Sequence, residues 1–330
     1  MKKNKGQTKK IGTASVSEPL VLTAQAEKKP SFIKRFARNT FPQKGDKPGD
    51  IVRKVIMMIA WATLLFCLVF MGIKGIEALR NYFAQNSFAD MVEDGQYDKL
   101  YAINNDFVGW LEIKDSSVAL PVVKSSDNSY YLRRDFYKKN TRYGNPFLDY
   151  RNKVDDFDFN TIIYGHNMED KQIFGQLLNM YDTAEHAANY PLIQFNTLKK
   201  KYTWKVVGAF LTNAKDRQDN NYVFPFNMVT LSDGNKVKFL EQLEQRFIYN
   251  TQVGMETGDH LLMLSTCSET FTDARLIVVA RLVRDGEPEK VDTSRYVMNE
   301  NPRYPQAWYS KYKKTNPYKN EEQWRPSLLD

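Results

Sequence analysis

The sequence predicts a mainly β domain, closed as a barrel or stacked as a sandwich, carried behind one N-terminal transmembrane helix. Three observations predict it. From about residue 107 onward, short β-rich runs (VGWLEI, VALPVV, TIIYG, PLIQF, TWKVVGAFL, LLMLST and RLIVVARLV) are separated by Asp, Asn, Ser and Gly, the spacing expected of such folds. Ahead of them, residues 55–73 form 19 residues without a charge. Just before the LLMLST run, residues 232–247 switch to a helical period.

The elements follow in chain order. The net charge of +8 invites a nucleic-acid partner, but its distribution argues against one. Residues 1–54 carry 14 Lys/Arg against 4 Asp/Glu, and the remainder carries 33 against 35. The basicity therefore belongs to the tail and not to a folded nucleic-acid domain. Residues 1–54 read as a basic cytoplasmic tail, mostly disordered. Within it SFIKRFAR (31–38) is either a short basic amphipathic piece on the anionic inner leaflet or a solvated stretch.

Residues 55–73, VIMMIAWATLLFCLVFMGI, are bracketed by Arg53 and Lys54 before and Lys74 after. At about 1.5 Å per residue a helix of this length covers roughly the hydrocarbon core. A buried soluble helix would normally show a polar face. A cleaved signal peptide fits less well, since 54 residues precede the stretch and no A-x-A-like site follows it. The expectation is an uncleaved, single-pass membrane anchor. The Lys/Arg excess before it puts the N-terminus in the cytoplasm, with residues from about 75 onward outside the cell.

After the span, Ile76, Leu79, Phe83, Phe88, Met91, Leu100 and Ile103 recur at helical spacing and predict one or two helices before the strands. In the 232–247 helix, Ser232 or Asp233 is the cap, and Val237, Leu240, Leu243 and Phe247 share a face. Residues 285–330 carry Tyr296, Tyr304, Trp308, Tyr309, Tyr312, Tyr318 and Trp324. That is too aromatic for a plain disordered tail; the segment either packs back on the domain or meets an external partner.

Two cysteines are present. Cys67 lies in the span and reads as a small apolar residue. Cys267 is alone outside, where it can form no internal disulfide and is open to oxidation. That favours a nucleophile, against a buried inert thiol. A nucleophilic cysteine needs a base and an oxyanion donor. Of the histidines, His166 follows the TIIYG run at a strand end, His186 lies in a helical DTAEHAAN segment, and His260 lies in a GDH turn. Position favours His166.

Cys267 ends one strand and Arg275 begins the next. If the two pair directly, the SETFTDA loop brings both side chains to one end of the sheet, where the guanidinium can meet a developing oxyanion. The plainer alternative is a surface ion pair with Asp273 or Glu269. No C-x2-C or H-x3-H spacing suggests a metal, no Gly-rich phosphate loop is present, and no cofactor is implied.

Several segments occur in the order found in class B sortases, membrane-anchored cysteine transpeptidases of Gram-positive bacteria. LSTC (264–267) resembles that family's TLxTC strand end, with Met263 where Thr is usual, TIIYGHN (161–167) its histidine motif and ARLIVVARLV (274–283) its arginine strand. DNSYYL (127–132), DFY (135–137) and IFGQL (173–177) are also similar to family segments, and the helix at 232–247 matches an insertion that marks class B. The resemblance covers about residues 76–284. The gap from Cys267 to Arg275 is shorter than in some members, and residues 285–330 have no counterpart there.

The resemblance implies an eight-stranded β-barrel with N-terminal helices and a triad of His166, Cys267 and Arg275. It also implies groove contacts at Asn128 and Leu132; Tyr222 and Val223, just before the inserted helix, are further candidates by position, and the plainer alternative for all four is an ordinary barrel-loop residue. Ser265, two residues before Cys267 on the same strand face, is a further candidate. The implied substrates are secreted proteins with an NPxT-like C-terminal sorting signal, cleaved after Thr through a thioester. The implied acceptor is a peptidoglycan cross-bridge amine or, in a pilin-polymerising enzyme, a pilin lysine. A non-catalytic membrane-tethered scaffold with an inert cysteine is the alternative from another class.

Overall fold

The computed structural model describes residues 31–93 and 97–326; of the tail 1–54 expected to be mostly disordered, residues 1–30 lie outside the described residues, while 32–40 and 48–54 are helical. The chain divides into two compact units, Met1–Gly72 and Ile73–Asp330.

In the first unit, α1 (Phe32–Thr40) precedes the start of α2 (Pro48–Glu93). Phe36 of α1 sets its ring edge-on to Trp61, 5.8 Å between centroids. α2 is long and apolar enough to cross a membrane. Over residues 58–73 its apolar side chains are exposed, with Phe66 at 69%, as a lipid-facing helix requires.

In the second unit, the rest of α2 and α3 (Tyr97–Ile103) precede the strands. These are β1 (Phe107–Glu112), β2 (Ala119–Val123), β3 (Phe147–Leu148), β4 (Asn160–Tyr164), β5 (Leu192–Thr197) and β6 (Thr203–Asn213). Short helices α4 (Leu177–Tyr181) and α5 (Ala184–Ala188) separate β4 from β5. After β6 come α6 (Asp233–Glu244), β7 (Tyr249–Asn250), β8 (Leu261–Ser268) and β9 (Ala274–Leu282). The C-terminal segment adds β10 (Val297–Met298), paired to β7, and α7 (Gln306–Lys311).

Eight strands close a barrel in the order β1-β2-β3-β4-β8-β9-β6-β5. Seven correspond to the apolar runs of the sequence. The eighth, β3, has two residues, too few to show an alternation, yet it links β2 to β4.

The runs 261–264 of β8 and 276–280 of β9 are continuously apolar because both of their faces are buried. Leu262, Leu264, Leu276, Val278 and Ala280 pack into one cluster. Leu261, Met263, Ile277 and Val279 pack into another, with Phe239 and Leu243 of α6. So α6 covers one face of these strands. Ser232 caps it, its hydroxyl accepting from the Asn235 N–H. One expectation is corrected: Val237 is exposed, and Phe239 takes its place beside Leu240 and Leu243. At about 100° per residue the buried arc is centred near Leu243, and Val237 falls outside it.

Candidate active site

Strand alternation builds the site. Residues one pleat apart share a face, so Ile162, Tyr164 and His166 point the same way, as do Met263, Ser265 and Cys267. In the parallel β4–β8 ladder Tyr164 stands opposite Ser265. The Gly165 N–H then donates to the Ser265 carbonyl at 3.1 Å. The ladder therefore delivers His166 beside the end of β8. In the antiparallel β8–β9 ladder the register partner of Cys267 is Arg275. Ile162, Met263 and Ile277 lie beneath α6. Beyond its cover, the same face opens into a cleft of about 640 Å³ lined by Tyr164, His166, Ser265, Cys267 and Arg275, within the range of small-molecule and peptide pockets.

The structure thus brings together His166, Cys267 and Arg275. Cys267 is exposed. Arg275 takes part in none of the ion pairs among the described residues; Asp273, its alternative partner, is held instead by Lys215 at 2.8 Å and Arg217 at 3.5 Å. His186 is an exposed helix residue paired with Asp182. His260 bonds the Asp158 carbonyl just before β8. At about 3.3 Å per residue it stands some 23 Å from Cys267 along that strand.

His166 is oriented by the turn before β3. Its Nε2 lies 2.8 Å from the Leu132 carbonyl. A carbonyl only accepts, so Nε2 carries the proton and Nδ1 is the second exchangeable position. Gly144 makes room for this contact: it has φ +62°, and a Cβ there would stand 2.6 Å from the Tyr131 carbonyl and 3.1 Å from the His166 ring.

The expected substrate residues divide. Asn128, Leu132, Val223 and Ser265 line the cleft. Ser265 Oγ is buried without a partner. The Asn128 amide is held from both ends, donating to Asp149 Oδ2 at 3.0 Å and accepting from the Tyr150 N–H at 3.0 Å. Tyr222 does not reach the cleft. It is buried, with its hydroxyl donating to the Trp324 carbonyl at 2.7 Å.

Sequence reasoning missed a buried carboxylate behind the cleft. Asp149 accepts from Asn128, Tyr164 Oη and Arg151, and Arg151 also donates to the Asn227 carbonyl in the opposite wall. Burial opposes its ionisation, but the bonds from Arg151 and Asn128 hold its pKa below the usual carboxylate range. Burial first, and then Asp149, push the Tyr164 phenol up, so it stays neutral. The signal was the run FLDYRN (147–152), charged and polar residues directly after an apolar pair.

Comparison with known proteins bears on this geometry. A family model described as the Sortase domain matches residues 111–283. Sortase B of Staphylococcus aureus is 30% identical over 191 residues, 57% of this chain and 75% of that protein. A solved S. aureus sortase B–substrate complex superposes with a TM-score of 0.54 at 27% identity, covering 62% of this chain and 94% of that one. A sortase B solved in complex with triglycine gives a TM-score of 0.56 at 27% identity, covering 64% of this chain and 99% of that one.

Proposed function

The chain belongs to the sortase family, class B, and from that premise we propose that it is a membrane-anchored transpeptidase using Cys267, His166 and Arg275. In this reading the Cys267 thiolate attacks the carbonyl carbon of the Thr in an NPxT-like sorting signal. Arg275 donates to the oxyanion that forms. The peptide C–N bond breaks as protonated His166 gives its proton to the departing amine. An incoming amine then loses a proton to His166 and attacks the thioester. The C–S bond breaks, the new amide forms, and the thiolate returns.

The observation that carries this reading is the register of Cys267 against Arg275 at the rim of a cleft that His166 also lines. The S. aureus complex with a substrate supports a sorting-signal peptide as donor, and the triglycine complex supports a small amine as acceptor. A cell-wall cross-bridge amine is the acceptor we favour. Asn128, Leu132, Val223 and Ser265 are proposed to contact the donor peptide. The anchor would be residues 55–73, with the N-terminus cytoplasmic and the catalytic unit outside the cell, as the basic flank before the span favours.

The test incubates the full chain with a panel of sorting-signal peptides and candidate amines and follows the mass of Cys267. The reading expects a thioester adduct that an amine discharges. It also expects no adduct in Cys267→Ala. A wild type that forms no adduct with any peptide, and whose Cys267 ignores thiol alkylators, would overturn it in favour of a non-catalytic tether.

A further inference from the structure

One wall of the cleft has two layers behind it. Its inner surface is the segment 223–227, between β6 and α6. Barrel-side contacts hold it from one direction. Asn213 Nδ2 donates to the Tyr222 carbonyl at 2.6 Å, and the Phe224 ring stacks on Phe239 with centroids 5.8 Å apart.

The other direction is held by the end of the chain, beyond residue 283 where the family match stops. The Trp324 ring lies 6.3 Å from Phe224 and 5.9 Å from Phe239. The Tyr222 hydroxyl donates to the Trp324 carbonyl at 2.7 Å. Arg325 reaches the Asn221 carbonyl at 3.4 Å and sets its guanidinium over the Tyr222 ring, 5.4 Å from its centroid. The Gln306 N–H donates to Asp219 at 2.9 Å. Arg303, buried, ties the segment to itself through Glu321 and to the end of α6 through the Gln245 carbonyl.

The wall needs such support. Asn220 and Asn221 both have positive φ, 52° and 63°. Consecutive residues in the left-handed region persist only where surrounding contacts fix them. The turn is braced within itself, the Asn221 N–H donating to the Asp216 carbonyl, and its first half is tied to the β8–β9 loop through Gln218 to the Thr272 carbonyl and Lys215 to Asp273; the C-terminal segment adds direct grips on Asp219, Asn221 and Tyr222.

We propose that residues 303–325 form a strap that positions the 222–227 wall, so that this segment governs how the sorting-signal peptide is held. Trp324 is the central positioning residue. It touches neither Cys267 nor the cleft surface and acts through Phe224 and Tyr222. The proposal rests on the transpeptidase reading for its kinetic consequence, though not for its structural one.

The test uses the full chain with Trp324→Ala, Trp324→Phe and Tyr222→Phe. With a fluorogenic Asn-Pro-Xaa-Thr-Gly or Asn-Pro-Xaa-Thr-Asn peptide, Trp324→Ala should raise KM about tenfold and change kcat less than about twofold. Trp324→Phe should recover most of the loss, since a ring still fills the site. Tyr222→Phe should raise KM about threefold. Alkylation of Cys267 should keep the wild-type rate in all three.

Amide hydrogen exchange gives a readout that needs no turnover: Trp324→Ala should lose protection over 219–227 and keep it in β8 and β9. An unchanged KM with unchanged exchange would overturn the strap. So would a loss of protection spread over the whole barrel, which would make Trp324 a general stability residue. If the wild type forms no adduct with any peptide, the transpeptidase reading fails, and local loss of protection would still support the strap.

Discussion

The two ends of the β8–β9 ladder carry the same residue type in opposite circumstances. Arg281 stands opposite Leu261 and Arg275 stands opposite Cys267. Arg281 is buried and fully engaged: it pairs with Glu287 at 2.7 Å and with Asp259 at 3.8 Å, and it donates to the Gly254 carbonyl at 2.9 Å. Lys205 and Arg284 close the network, on Glu287 and Asp259 respectively. Arg275 is half-buried on a cleft and pairs with no carboxylate among the described residues. A guanidinium whose donors are all occupied can only hold structure. One left without an anion beside a thiol has its charge available to an incoming one.

The largest expected effect tests that contrast directly. Arg275→Met should cut acyl transfer by roughly 10²–10³-fold, the order lost with one oxyanion donor. Its unfolding free energy should stay within about 0.5 kcal/mol of wild type. Arg281→Met should do the reverse. Leaving Glu287 and Asp259 without their central partner should cost about 3–5 kcal/mol, while each molecule that remains folded turns over at the wild-type kcat. Urea unfolding and initial rates, measured on both variants, check it. Equal stability losses, or inactivity of folded Arg281→Met, would erase the distinction.

How much of this was legible in the sequence depends on range. Seven strands and the α6 insertion could be seen because each is a local pattern several residues long. β3 could not, because two residues carry no period. The Cys267–Arg275 pairing was accessible as a hairpin, since only the short SETFTDA loop separates them. His166 was favoured by its place at a strand end and by the family resemblance, but its arrival beside Cys267 had no local signal of its own, because β4 and β8 pair in parallel across about a hundred residues. Phe239 was missed because helical spacing allows several arcs, and tertiary packing selects the one centred near Leu243. The inward turn of Tyr222 meets the Trp324 carbonyl, a partner too distant along the chain for any motif to show.

The paired end also gives a pH dependence with a definite sign. Bonds from Arg281, then Lys205 and the Arg284 N–H, outweigh burial and hold the Glu287 carboxyl below its ordinary pKa of 4.5. A depressed folded pKa contributes stability that is fully present above the unfolded value and is lost as pH falls through the folded one. Glu287→Gln should therefore cost about 2 kcal/mol at pH 7, less than a fully buried pair because the side chain still meets water. The gap from wild type should narrow steadily as pH drops below about 4.5. Denaturant midpoints taken from pH 7 to pH 3 check it. A gap that stays constant would mean Glu287 acts by packing alone.

The smallest effect sharpens the contrast most, because it separates two adjacent hydroxyls. Ser265 Oγ and Thr266 Oγ1 are both buried and both lack a partner. Alternation sends Ser265 to the cleft face with Cys267, and Thr266 to the opposite face. An unmet buried hydroxyl costs free energy in either place, so removing it should not destabilise the fold. Thr266→Val should leave KM and kcat unchanged and raise stability by about 1 kcal/mol. Ser265→Ala should be neutral or slightly stabilising, yet raise the KM for the sorting peptide about three- to tenfold, the worth of one hydrogen bond to substrate. Thermal unfolding and peptide kinetics on the two variants decide whether an unmet group on β8 marks a ligand or only a defect. If Ser265→Ala left KM unchanged, the cleft hydroxyl would join Thr266 as a defect, and being unpaired beside Cys267 would no longer distinguish function from structure.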